Sequence, residues 1–273
     1  MGKRSKVIMP LMTFKQENDG RYTVTICLNK LYPDDKERKN FKKRFKEFRN
    51  AIDPDYRRIF NNLENDILKY DSECLLPKLD FRPPLVLLLG NPAPHSVVKG
   101  MFFSYQHQRN GNVAEHRFWR YLREAGILSF KAPFNDYDGR RQEFLSNQQS
   151  KYRIGLSVFY SMPSPPSHKK WGGVRGLEKL LGRVAFREIT SQETYRAEKM
   201  IKEFCGNNGA VIVFQKDAYL TIKNDKCPDY SIGKARQGKL MDKLKCNNDT
   251  RLFCSPPTRY NNTEILKKFI KKF

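Results

Sequence analysis

Uninterrupted apolar runs alternate along this chain with stretches whose apolar positions recur every three or four residues. Leu85-Val86-Leu87-Leu88-Leu89 is bounded by Pro83-Pro84 and Gly90. Residues 154–159 and 210–214 form similar runs, and Arg251-Leu252-Phe253-Cys254 a shorter one. Runs without polar alternation suit strands buried on both faces of a parallel sheet. Between them, residues 114–125, 178–181 and 191–204 carry helical spacing, with Ser191, Glu193 and Thr194 as a helix start. Residues 263–270 close the chain as an amphipathic helix. Strand, crossover, strand predicts an α/β fold: a three-layer α/β/α domain around a central four-stranded parallel sheet.

The preceding residues follow other rhythms. Arg21-Tyr22-Thr23-Val24-Thr25-Ile26-Cys27-Leu28 alternates as a strand does. From 34 to 68 the apolar positions Phe41, Phe45, Phe48, Ile52, Tyr56, Ile59, Phe60, Leu63 and Ile67 are spaced for helices, with Asp53-Pro54 dividing them into two. The pattern therefore predicts an N-terminal basic extension over residues 1–79, short strands and basic helices packed on the core, before the α/β domain of residues 80–273. There is no internal repeat and no low-complexity linker.

Charge adds a partner to this picture. Lys and Arg number 52 against 29 Asp and Glu, a formal charge of +23 and a pI near 9.8. A folded chain so charged repels itself unless a polyanion is close, which points to nucleic acid or an anionic surface. No apolar run approaches the roughly 20 residues of a membrane span. The N-terminus lacks the pattern of a secretory signal. Six cysteines without a C-x-x-C pair, and no histidine at ligand spacing, argue against zinc ribbons and fingers. The expectations are an intracellular monomer with reduced thiols, no metal and no cofactor.

Ligands of open parallel sheets bind beyond the carboxyl ends of the strands. Four loops follow the four runs: Gly90-Asn91-Pro92-Ala93-Pro94-His95 continuing to Lys99-Gly100-Met101-Phe102-Phe103, Tyr160-Ser161-Met162-Pro163-Ser164-Pro165, Gln215-Lys216-Asp217-Ala218-Tyr219, and Ser255-Pro256-Pro257-Thr258-Arg259-Tyr260. Proline holds such loops in shape without a cofactor. Gly-x-Gly-x-x-Gly and Walker turns are absent, so dinucleotide and nucleoside triphosphate sites are not expected.

The order of these motifs carries a resemblance. Leu88-Leu89-Gly90-Asn91-Pro92-Ala93, Gly100-Met101-Phe102-Phe103 and His116-Arg117-Phe118-Trp119 are similar to the strand and G-x-N-P-G loop, the G-x-P-F-like turn and the N-R-F-W helix start of the uracil-DNA glycosylase superfamily. The nearest pattern is the mismatch-specific thymine/uracil branch. Gly155-Leu156-Ser157 with Met162-Pro163, the stretch 211–219, and Cys254-Ser255-Pro256-Pro257 continue the similarity over residues 80–262. The resemblance implies a DNA glycosylase that flips a base out of the stack and hydrolyses its N-glycosidic bond. It implies that Asn91 orients the attacking water, with Ser255 as the second catalytic group. Phe103 stacks on the base, and Gly90, Pro92, His95 and Ser157 line the substrate site. Lys99 and the wedge Pro256, Pro257, Thr258, Arg259 and Tyr260 bind DNA. The chain departs from the pattern with Leu89 and Ala93 at the outer glycines, His116 for asparagine, and Ser255 for histidine or asparagine. Those departures leave two other readings, a non-catalytic nucleic-acid-binding member of the fold and a glycosylase for an undamaged or modified base.

Overall fold

A computed structural model of the chain describes residues 10–16, 21–60, 62–104, 106–107, 111–166, 168–246, 249–260 and 262–273. The N-terminal part contains β1 (Met12–Gln16), β2 (Arg21–Cys27), α1 (Leu28–Leu31), α2 (Asp35–Asn50), a 3-10 helix (Pro54–Ile59), β3 (Asn62–Glu64) and β4 (Ile67–Glu73). Its strands form an antiparallel sheet in the order β1-β2-β4-β3. The Asp34 carboxylate caps α2 by accepting the Lys36 and Glu37 N–H groups, and Phe41, Phe45 and Phe48 line its buried face.

The second helix expected after Asp53-Pro54 is not there. The chain makes one short 3-10 helix and then the β3–β4 hairpin. Asn65 and Asp66 stand between these strands at φ 50° and 59°, left-handed values that asparagine and aspartate tolerate in two-residue hairpin turns. Leu68, Tyr70 and Ser72 then point inward from β4, a period of two that pairing with β2 rewards over the whole strand. The expected basic extension is thus mainly a four-stranded sheet bearing one basic helix.

The rest of the chain runs β5 (Pro84–Leu89), α3 (Pro94–Lys99), β6 (Gln106–His107), β7 (Val113–Ala114), α4 (Arg117–Glu124), α5 (Tyr137–Ser146), β8 (Arg153–Val158), α6 (Gly173–Leu181), α7 (Arg183–Cys205), β9 (Ala210–Val213), α8 (Lys216–Ile222), α9 (Ile232–Arg236), β10 (Met241–Lys243), β11 (Arg251–Cys254) and α10 (Thr263–Ile270). The central sheet has five strands, not four, in the order β10-β11-β9-β5-β8. The four apolar runs are its parallel strands, and β10 adds antiparallel to β11 at one edge. Helix α7 starts eight residues before Ser191, beyond Gly182 at φ 84°.

Strand β5 shows why these runs lack alternation. Val86 and Leu88 join the apolar cluster containing Ile201 of α7 and Val24, Phe48 and Tyr70 of the N-terminal part. Leu85, Leu87 and Leu89 join the opposite cluster with Leu122, Phe144 and Phe269. At the β8 edge, Leu75 and Leu156 exchange two backbone hydrogen bonds of 2.8 Å, covering the open edge with the segment that leaves β4.

Candidate functional site

The strand order places the topological switch at the carboxyl ends of β5 and β9, which neighbour each other while their connections leave in opposite directions. There the first and third loops touch: a Cβ built on Gly90 would stand 3.2 Å from the Gln215 side chain. Gln215 caps α8 by accepting the Ala218 N–H, and its Nε2 donates to the Asp217 carboxylate at 2.8 Å. Asp217, placed in the third loop by the sequence but given no role there, thus brings a negative charge to this end of the sheet.

The second loop fixes the first. The Gly90 carbonyl accepts the Tyr160 N–H at 2.8 Å, and the Pro92 carbonyl accepts the Ser164 N–H at 3.1 Å. The Asn91 Nδ2 donates to Ser164 Oγ at 2.8 Å and to the Pro92 carbonyl at 3.3 Å. A carbonyl only accepts, so the Pro92 contact determines which side of the amide is nitrogen. Asn91 Oδ1 has no hydrogen-bond partner among the described residues and is left to accept from water. Pro94 starts α3, and Gly100 ends it at φ 67° against the Arg141 guanidinium, which donates to the Gly100 carbonyl. Arg141 also pairs with the buried Glu73 of β4 at 3.1 Å.

The second loop is itself anchored from below. Ser161 donates its N–H (2.6 Å) and its hydroxyl to one Glu193 carboxylate oxygen. The other oxygen takes the Arg196 Nε at 2.7 Å, and Arg196 Nη2 donates to the Val158 and Phe159 carbonyls. Tyr70 of the N-terminal sheet reaches Ser161 Oγ at 2.9 Å. Glu193 and Arg196 are buried, so charged residues occupy the apolar stripe of α7. That misplacement in the helical pattern is the sequence signal that could have revealed the network.

Phe103 follows the first loop with φ 48°, a left-handed conformation that is strained for a phenylalanine. Its ring stacks on His116 at 4.4 Å and 19°, and meets Phe118 at 4.5 Å. Protein rings therefore already occupy part of the expected stacking surface, and Phe103 is half-buried. His116 caps α4 by accepting the Phe118 N–H on Nδ1. Burial first, then Arg117 and His95, pull the His116 pKa down to about 4, so the imidazole is neutral near pH 7. His95 lies beside the Tyr56 ring, 6.1 Å between centroids. Tyr56 comes from the N-terminal 3-10 helix, and nothing in the local sequence assigned it to this place.

The fourth loop is divided in depth. Ser255 is 1% exposed; its N–H donates to the Val213 carbonyl at 2.8 Å and its hydroxyl to the Pro256 carbonyl at 3.2 Å. Pro256 is buried, and Pro257 and Thr258 are half-buried. Arg117 Nη1 donates to the Arg259 carbonyl at 3.0 Å, tying this loop to α4. Tyr260 carries Arg236 over its ring at 3.9 Å and Arg259 at 5.1 Å. Those guanidiniums, Arg236 foremost, hold its phenol below the usual range. Lys99 is exposed and stands 5.7 Å from the Tyr137 ring centre.

Ser157 does not reach this cluster. It is fully buried inside β8, beside Tyr22 and Cys74 beneath the N-terminal sheet, because the strand's alternation turns it away from the crevice. Asn91, Gly90, Pro92 and His95 share one corner, Phe103 joins it through His116, and Ser255 to Tyr260 form the neighbouring wall. A separate cavity of about 720 Å³ lies between β1 and α7, near the amino end of β8, lined by Phe14, Arg153, Tyr195 and Met200 among others. No cluster of three or more metal-ligating side chains occurs among the described residues. Nor is any described helix long and apolar enough to cross a membrane.

No protein-family model matches this chain, and a search of curated proteins returns no match.

Proposed function

We propose that this protein is a monofunctional DNA glycosylase acting on uracil or a related deaminated or mismatched base, working inside the cell as a monomer. One observation carries the reading. Asn91 stands at the topological switch with its amide nitrogen engaged by Ser164 and Pro92, which leaves Oδ1 to hold a water. In the proposed reaction the C1′–N bond breaks with its electron pair departing on the base. Water oxygen bonds to C1′, and the proton it releases passes through solvent to the departing base anion, so that the products are the free base and the abasic sugar. Asparagine is no general base, so its contribution is orientation. Asp217 and the substrate phosphates supply negative charge toward the oxocarbenium-like transition state. Loss of the positioned water through Asn91→Ala lowers the rate of abasic-site formation by about a hundredfold. The measurement is alkaline cleavage of a uracil-containing oligonucleotide, and no product from the wild-type protein at any concentration would falsify the reading.

A second reading is favoured by the partly occupied stacking surface and the buried Ser255: a nucleic-acid-binding protein with this fold and no turnover. It predicts salt-sensitive binding, no abasic product, and affinity unchanged by Asn91→Ala. A panel of oligonucleotides carrying different single bases separates the deaminated-base reading from a glycosylase for an undamaged or modified base.

A further inference from the structure

The surface around the crevice pairs cations with half-buried rings on both sides. On the first-loop side, Lys99 lies 5.7 Å from the Tyr137 ring centre, and the half-buried Tyr56 stands beside the His95 ring. On the fourth-loop side, exposed Arg236 and Arg259 lean on Tyr260 and make no ion pair among the described residues. The two groups face the same crevice: Tyr56 adjoins the His95 ring on the first loop, and Arg117, next to His116 at the start of α4, binds the Arg259 carbonyl of the fourth loop.

We infer that this band is a track for single-stranded nucleic acid, with phosphates on the guanidinium and ammonium groups and unpaired bases on the tyrosines. The inference rests on the nucleic-acid part of the function proposed above and not on turnover. A duplex hides its base faces in the stack and offers a protein phosphates and groove edges. Rings beside cations gain little from such a partner. A single strand presents both groups in alternation, and base–ring stacking with tracking cations is how proteins hold it without reading sequence. Cations already poised over the rings would exchange ring contact for phosphate while bases take the ring faces.

Fluorescence anisotropy with labelled 15-nucleotide oligo-dT, oligo-U and a 15-base-pair duplex tests the track across a series of salt concentrations. The single strand of at least one sugar should bind at least about tenfold more tightly than the duplex. Tyr260→Leu and Tyr56→Leu should each weaken that binding about tenfold, while Tyr260→Phe, which keeps the ring, should retain it. Circular dichroism melting checks that each variant is folded. Equal or tighter binding of the duplex overturns the inference, as does folded Tyr260→Leu with unchanged single-strand affinity. Uracil excision from a duplex that outcompetes the single strand would sink this inference and leave the glycosylase reading standing. Tight single-strand binding without abasic product would do the reverse.

Discussion

On the first-loop side of the crevice, Asn91 is held by Ser164, the loop by Gly90 and Pro92 carbonyls, and that support by the buried Glu193–Arg196 pair. On the fourth-loop side, Arg236 and Arg259 rest on the Tyr260 ring in contact with solvent. The first arrangement suits a group that must stand within a fraction of an ångström of a reacting atom. The second suits a flexible polyanion, whose phosphates can be met in many geometries. The contrast separates chemistry from affinity within a single rim.

The sharpest way to break the contrast is Arg196→Ala. It strands the Glu193 carboxylate in the interior, where removing one partner of a buried pair costs about 3–5 kcal/mol. Urea unfolding should register that loss, and a change under 1 kcal/mol would show that the pair does not support the second loop. Next comes the pH dependence of His116, whose pKa falls from the ordinary 6.5 to about 4 in the folded chain. The unfolded chain takes up the proton first as pH drops, so stability is full above about 6.5 and declines by about 3 kcal/mol toward 4. His116→Asn keeps a capping side chain and removes the titration, so it should flatten that part of the stability profile. The smallest effect is expected from Arg259→Ala. Its exposed side chain should change stability by less than about 0.5 kcal/mol. The same substitution should reduce by about one the slope of log affinity against log salt for an oligonucleotide. A large drop in melting temperature would mean that the two walls are not built differently after all.

Much of the frame was legible in the chain because complete burial leaves a local trace. The run at residues 85–89 has no polar position, and both of its faces indeed meet apolar clusters. Proline and glycine marked where the first loop begins. The misread segment at 54–68 shows the limit of periodicity. Short apolar runs fit helix and strand alike, and the Asn65-Asp66 turn with the β2 partner decided between them. Strand β10 is three residues long and acquires its identity from β11 alone.

The candidate site divides in the same way. Asn91, Pro92 and the Ser255–Tyr260 loop could be placed at strand ends because they directly follow apolar runs. Tyr56, Glu193 and Arg236 were missed because each is distant in sequence from the residues it serves. Ser157 was misplaced because a one-residue step along a strand reverses the face to which a side chain points.

By itself, then, the order of residues determined that four buried parallel strands would carry four polar loops, and that the whole would be strongly basic. Periodicity and charge act over a few neighbouring positions and can be read there. Tertiary structure alone decided that β5 and β9 would adjoin at the switch point, and that an N-terminal tyrosine would join the rim. It also stacked His116 on the Phe103 ring. Those outcomes depend on which distant surfaces exclude water together, and no local pattern encodes that.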